Sequence, residues 1–172
     1  IKELVEKTRL TYSMGETGFY RAPAIFCRRE FKKGTFGKFT YGEAHYNHDI
    51  RNMEGSFRSS GGDDWKKFAG IPPFYYPTHS TSMVVSATKA HAVKVTAFGY
   101  EDKTDTDIFG KDKNWWDNPF SNETAIFKMS RGGYGRINEF RRIGTVKPSS
   151  YITGIYGKHA AYECCGMNHL FI

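Results

Sequence analysis

The sequence has no apolar run long enough to span a membrane and no signal-peptide pattern at its start, so neither a bilayer span nor a leader is read from it. It is also poor in cysteine. Cys27, Cys164 and Cys165 are odd in number, two of them adjacent, and fit neither a disulfide framework nor the paired spacing of a zinc site. They read as reduced, buried thiols, and the setting expected is cytoplasmic, with a periplasmic one open because the true N-terminus is not shown. A glycine loop between a strand and a helix, the usual mark of a nucleotide phosphate site, is missing too. RGGYGR at 131–136 comes nearest, but it lies between two expected strands and reads as a hairpin turn. The main binding domain for any nucleotide cofactor is therefore expected outside this chain.

Charge of one sign is never concentrated. The 25 Lys and Arg against 18 Asp and Glu leave +7, which raises a polyanion as a partner, yet 13 of the basic residues fall in residues 1–68 and 12 in the rest. No basic arm or stripe results. KGTFGKFTY at 33–41 resembles the aromatic strand of RNA-recognition domains, but Thr35 separates glycine from the first ring and Lys38 stands where an apolar residue belongs. A helix stop followed by a strand explains the same residues, and no nucleic-acid partner is expected.

What is present is enough for one domain. At 172 residues the chain can bury a real core, and residues 1–172 are read as a single unit. IKELVEKTRL has apolar helical spacing with no capping residue before Ile1, so a helix cut into partway, and a fragment of a longer protein, are expected. TYSMGETGFY alternates loosely and reads as a short strand. APAIFCRREFKKG reads as a helix, with Pro23 in its first turn and Gly34 as its stop. GKFTYGEAHYNH is rich in β-formers and reads as a strand, and the polar, Gly/Ser-rich RNMEGSFRSSGGDD as a surface loop.

HSTSMVVSATKA is ambiguous: its valines and threonines favour a strand, whereas its length and a cap at Thr78 or Ser80 favour a helix. AHAVKVTAFGY alternates cleanly. After a charged loop, ETAIFKMS, YGRINEFRRIGTV, SYITGIYG and HAAYECCG read as successive strands. Helices early and strands late give an α+β domain: one open-faced, mostly antiparallel β-sheet with helices packed on one face.

Two stretches carry candidate chemistry. GEAHYNHDIR at 42–51 places His45 and His48 three apart, which on a helix would suit a metal. On a strand the side chains alternate, so Tyr46 and His48 share one face while Glu43, His45 and Asn47 take the other, and a shared metal is not expected. PPFYYPTHST at 72–81 stiffens its backbone with three prolines and sets His79 at a loop-to-helix junction beside Tyr75 and Tyr76, where a histidine can act as a general base near neutral pH.

MGET at 14–17, the helix ending in KGTFGKF, GEAHYNHDIR and YYPTHST occur in an order that resembles the C-terminal domain of Gfo/Idh/MocA oxidoreductases, over residues 1 to about 157. The subgroup it is most similar to is the NAD-dependent α-N-acetylgalactosaminidases, which carry a like GExxYxHDxR strand and YPTH loop. The resemblance implies an open sheet following a Rossmann domain that this chain lacks, an NAD(P) cofactor held mainly by that domain, a sugar-type substrate, and a homo-oligomer formed through the sheet's outer face. Carried over by position, it implies His79 as the base at the oxidised hydroxyl and Tyr46 as the base at the neighbouring carbon. Glu16, His48, Arg51, Tyr75 and Tyr76 would line the substrate pocket, with Tyr76 also at the cofactor. Two positions depart from the pattern. Tyr75 stands where the commoner family sequence has aspartate, and Ser80 where the glycosidases have glycine.

Overall fold

Alternation organises the centre of the molecule. In the computed structural model, which describes residues 1–104, 107–145, 149–166 and 168–172, Phe39–His48 forms strand β1, with Gly42, Ala44 and Tyr46 buried on one face. Two helices precede it, α1 (Lys2–Thr8) and α2 (Ala22–Lys33). After it come α3 (Glu54–Gly61), α4 (Trp65–Ala69), α5 (Thr78–Thr88), β2 (Ala92–Glu101), β3 (Phe120–Met129), β4 (Tyr134–Phe140), β5 (Ser149–Gly157), β6 (Ala161–Cys165) and β7 (Asn168–Phe171). The strands form one seven-stranded sheet in the order β2-β3-β4-β1-β5-β6-β7. Its pairs are antiparallel except β1 with β4, so the α+β open sheet expected from the sequence is the fold observed.

The inner face carries the core. Met83, Val84 and Ala87 of α5 and Ala24 and Cys27 of α2 pack with Ala44, Ala125, Phe127, Ile137 and Ile155 from the strands, each large apolar side chain contributing about 1.5–3 kcal/mol on full burial. Gly42 lets α5 lie close to the sheet, since a Cβ there would sit 3.1 Å from Val84 and 3.2 Å from Ile155. Helix α2 ends as its sequence demands: Gly34 takes φ 83° and its amide donates back into the last turn, while Lys32 and Lys33 face the carbonyl end.

The β3–β4 hairpin depends on two left-handed glycines, Gly132 (φ +87°) and Gly133 (φ +78°). A Cβ on Gly133 would lie 2.7 Å from both the Phe39 ring and the Thr40 carbonyl oxygen. Gly133→Ala is therefore expected to cost about 1–3 kcal/mol, read as a lower urea midpoint; an unchanged midpoint would show that the turn relaxes freely.

Three sequence expectations need correction. TYSMGETGFY is not a strand: no neighbouring strand edge reaches it, and it runs as irregular chain into a 3₁₀ turn at Thr17–Tyr20. RNMEGSFRSSGGDD is not a loop but a 3₁₀ turn, α3 and a second 3₁₀ turn. A second small core, Ile50, Trp65, Ala69, Ile108 and Phe109 with Phe57 against it, orders this low-propensity segment. HSTSMVVSATKA resolves to helix α5, but its N-cap is Pro77 and neither Thr78 nor Ser80 caps it. Of the cysteines, Cys27 and Cys164 are buried and Cys165 is exposed. Val146 of the stretch YGRINEFRRIGTV lies outside the described residues, and the strand there ends at Phe140.

Candidate active site

Because β1 and β4 run parallel, their C-terminal ends meet at one end of the sheet, and antiparallel β5 begins there. Tyr46 lies opposite Glu139 of β4 and Tyr151 of β5, and directly paired residues share a face, so all three project inward. Helix α5 starts above them, and the Thr17–Tyr20 turn closes the side. This brings together residues whose numbers run from 16 to 151.

His79 is the hub. Its Nδ1 lies 2.8 Å from Glu16 Oε1 and its Nε2 3.1 Å from the Tyr76 hydroxyl. A carboxylate only accepts, so Nδ1 carries a proton, and in the neutral ring Nε2 is then the acceptor that receives the Tyr76 O–H. The His79 ring meets that of Tyr46 edge to face with centroids 4.8 Å apart. The Tyr46 hydroxyl in turn hydrogen-bonds His48 Nδ1, as their shared strand face allows. His45 is on the other face, where Arg136 contacts both it and Glu43. Among the described residues no three His, Cys, Asp or Glu side chains are grouped to hold a metal.

Electrostatics sort these groups. Burial alone would push the Glu16 carboxyl up, but hydrogen bonds from Thr78, His79 and the Gly18 amide outweigh it and hold the carboxyl below its usual range. Such a carboxylate stabilises the fold above pH 4.5, the ordinary value, and that contribution is lost as pH falls through the lowered one. Glu16→Gln is expected to flatten the acid limb of a stability-versus-pH curve; an unaltered acid limb would refute the coupling. Burial pushes the Tyr46 hydroxyl well above the ordinary tyrosine value, reinforced by Tyr151 and opposed by Arg141. Burial, with Arg141 and His79 nearby, lowers His48.

Two of the expected site residues are not brought in. Arg51 pairs with Asp49 and lines a separate cleft with Glu54, Arg58 and Arg142. Tyr75 is 69 % exposed and, among the described residues, shares no hydrogen bond or ring contact with His79, which meets Tyr76, Glu16, Tyr46 and Tyr151 instead. Four residues, Tyr151, Arg141, Glu139 and Arg21, went unread, and Ser80 was not read as part of the site. Tyr151 stacks on Tyr46 with centroids 5.0 Å apart. Arg141 places its guanidinium 4.9 Å from the Tyr46 ring centre and donates to fully buried Glu139 at 2.9 Å. Arg21 lies 3.6 Å over the Tyr151 ring. Ser80, the departure from the glycosidase pattern, hydrogen-bonds Glu139. The carboxylate on His79 comes from Glu16, 63 positions earlier in the chain. Beside Glu16 an apolar groove of about 480 Å³ runs between Met14, Phe19, Tyr20 and the first turns of α5.

No protein-family profile matches the sequence, and no curated protein matches it. Solved structures do match in shape. An inositol dehydrogenase homolog from Azotobacter vinelandii, solved with NAD+, superposes with a TM-score of 0.70 at 9% identity over 99% of this chain and 46% of its own. For scyllo-inositol dehydrogenase from Lactobacillus casei, solved with NAD(H) and scyllo-inositol, the values are 0.64, 14%, 99% and 44%. For UDP-N-acetylglucosamine 3-dehydrogenase from Acidithiobacillus ferrooxidans they are 0.59, 14%, 99% and 45%. The chain thus spans about half the length of the structures it matches. At such identities the likeness is one of fold alone: the open seven-stranded sheet with its helices is shared with about half of each of these dehydrogenase chains.

Proposed function

We propose that this chain is the substrate-binding and assembly domain of an NAD(P)-dependent oxidoreductase acting on a sugar or sugar derivative. The single observation that carries the reading is the Glu16–His79–Tyr76 arrangement beside Tyr46 at the sheet's end. Glu16 fixes the imidazole with Nε2 as acceptor, which is the state a general base requires. Tyr76, about half exposed, occupies that acceptor in the free domain, and a sugar hydroxyl replacing it would deliver its proton to Nε2. A bound nicotinamide would supply hydride acceptance. The apolar groove beside Glu16, lined by Met14, Phe19, Tyr20 and Pro77, offers room for a planar ring, and the fold likeness over half of longer dehydrogenase chains supports a Rossmann domain of the same protein as the cofactor's main holder.

The glycosidase reading uses the same cluster but needs Tyr46 as a tyrosinate. Burial pushes that hydroxyl up and keeps its proton on, which favours the dehydrogenase. The +7 charge is spread along the chain with no basic arm or stripe, which supports a polyanion-binding module less well, and the assembled His79 cluster supports a chemistry-dead one less well. Assembly through the outer sheet face is supported by Phe98, Tyr100 and Ile126, which stay more than half exposed there.

The test is NAD(P)H formation by the full-length protein across a panel of sugars and cyclitols. Reduction of cofactor by any of them supports the reading. Cleavage of a nitrophenyl glycoside with no net NADH would transfer it to the glycosidase, and neither activity would refute both.

A further inference from the structure

Nearly every charge at this end of the sheet is met within the fold. Glu16 holds His79, Glu139 holds Arg141, and Asp49 holds Arg51. Arg21 is the exception. It stands at the start of α2, partly buried, with its guanidinium carbon 3.6 Å above the Tyr151 ring centre. Among the described residues its side chain has no hydrogen-bond or ion-pair partner. Stacking on the ring uses the face of the guanidinium and leaves its in-plane N–H groups free. Tyr151 stacks on Tyr46, so those donors border the proposed reaction site. The other ring of the pair has its own guanidinium, Arg141, with side chain 8 % exposed and a buried Nη1 that has no acceptor. The stacked tyrosines therefore carry two cations, and only one of them has a carboxylate.

We propose that the sugar bound here bears an oxyanion, a carboxylate or a phosphate, which Arg21 receives through its planar fork. This rests on the sugar-oxidising reading above and narrows its substrate class. A neutral hydroxyl could fill a donor but would leave the charge uncompensated, whereas a carboxylate or phosphate matches the fork geometry and the charge together. The His79 ring centre lies 6.3 Å from that of Tyr151, the ring that carries Arg21, so a sugar held by Arg21 at its oxyanion would place a hydroxyl at His79 Nε2. A cofactor phosphate is the other source of the same chemistry, so the two are tested separately.

The experiment is calorimetric titration of the full-length protein and its Arg21→Met and Arg21→Lys variants with glucuronate, galacturonate, glucose 6-phosphate, the parent neutral sugars, and NADH. The acidic sugars are expected to bind about 10- to 100-fold more tightly than the neutral ones. Arg21→Met should erase that difference, lowering acidic-sugar binding at least about tenfold more than neutral-sugar or NADH binding, and Arg21→Lys should recover part of it. Equal binding of acidic and neutral sugars, indifferent to Arg21→Met, would overturn the oxyanion while leaving sugar oxidation intact. Loss of NADH binding in Arg21→Met, with acidic sugars unaffected, would assign Arg21 to the cofactor and overturn the proposal. No binding of any sugar would count against the sugar-directed reading itself, and with it this one.

Discussion

His79→Asn in the full-length protein is expected to lower kcat/KM for sugar oxidation by about 10²–10⁴-fold, the usual contribution of a positioned general acid or base. The physical ground is the tautomer. Glu16, 2.8 Å from Nδ1, fixes the proton on that side and leaves Nε2 as the only acceptor facing the Tyr76 hydroxyl. An asparagine can still donate to Glu16, so the fold should tolerate it, but it offers no basic nitrogen to the substrate. Stopped-flow measurement of NAD(P)H formation, with urea unfolding as a control, separates the two effects. A variant as stable as the parent that retains more than a tenth of its turnover would remove His79 from the role of base. Glu16→Gln should give a smaller loss of the same kind, because the amide supports either tautomer.

Arg141→Met is expected to be the most destabilising substitution at the site, at about 3–5 kcal/mol, because it strands a buried charge. Glu139 is fully buried, and among the described residues only the Ser80 hydroxyl besides Arg141 hydrogen-bonds it. Burial already raises the Glu139 carboxyl, with Arg141 and Ser80 opposing the rise. Without Arg141 it must rise further. A raised carboxyl favours the folded state when protonated, so the variant's stability should be higher at low pH and fall as pH rises through the carboxyl's native value. The loss in urea midpoint should therefore be larger at pH 8 than at pH 5, and Arg141→Met combined with Glu139→Gln should recover most of it. A loss equal at both pH values would mean that packing of Arg141 on the Tyr46 ring, and not its charge, is what matters there.

The two effects reach the same hydroxyl by different routes. Arg141 lies over the Tyr46 ring and opposes the burial that holds the phenol protonated. Tyr46 is thus poised as a proton donor in the free domain, hydrogen-bonded to His48, and its ionisation would require either Arg141 to close in or His48 to accept the proton. Tyr46→Phe keeps the ring stack with Tyr151 and the contact with His79 while removing that hydroxyl.

Local rules were enough for much of this. The period of β1 put Tyr46 and His48 on one face and His45 on the other, and their hydrogen bond is the consequence. Gly34 ended α2, the paired glycines 132 and 133 turned the β3–β4 hairpin, and helices before strands gave the α+β sheet. YPTH placed His79 at the start of a helix. Each of these is a relation between residues a few positions apart, where backbone geometry alone sets direction. The misreadings also have local causes. The β-formers of TYSMGETGFY had no partner edge, and the Gly/Ser composition of 54–64 hid helices that exist because Trp65, Ile108 and Phe109 pack around them.

Only the tertiary structure could supply the rest. Glu16 reaches His79 across 63 positions, and Glu139, Arg141 and Tyr151 reach Tyr46 because β1 lies parallel to β4 and antiparallel to β5. Arg51, three residues beyond His48, turns away to Asp49 because the strand has ended and the chain winds into a 3₁₀ turn. The sequence by itself determined which side chains share a face within one element; which faces meet was decided by strand order, because pairing between distant strands leaves no periodicity in either of them.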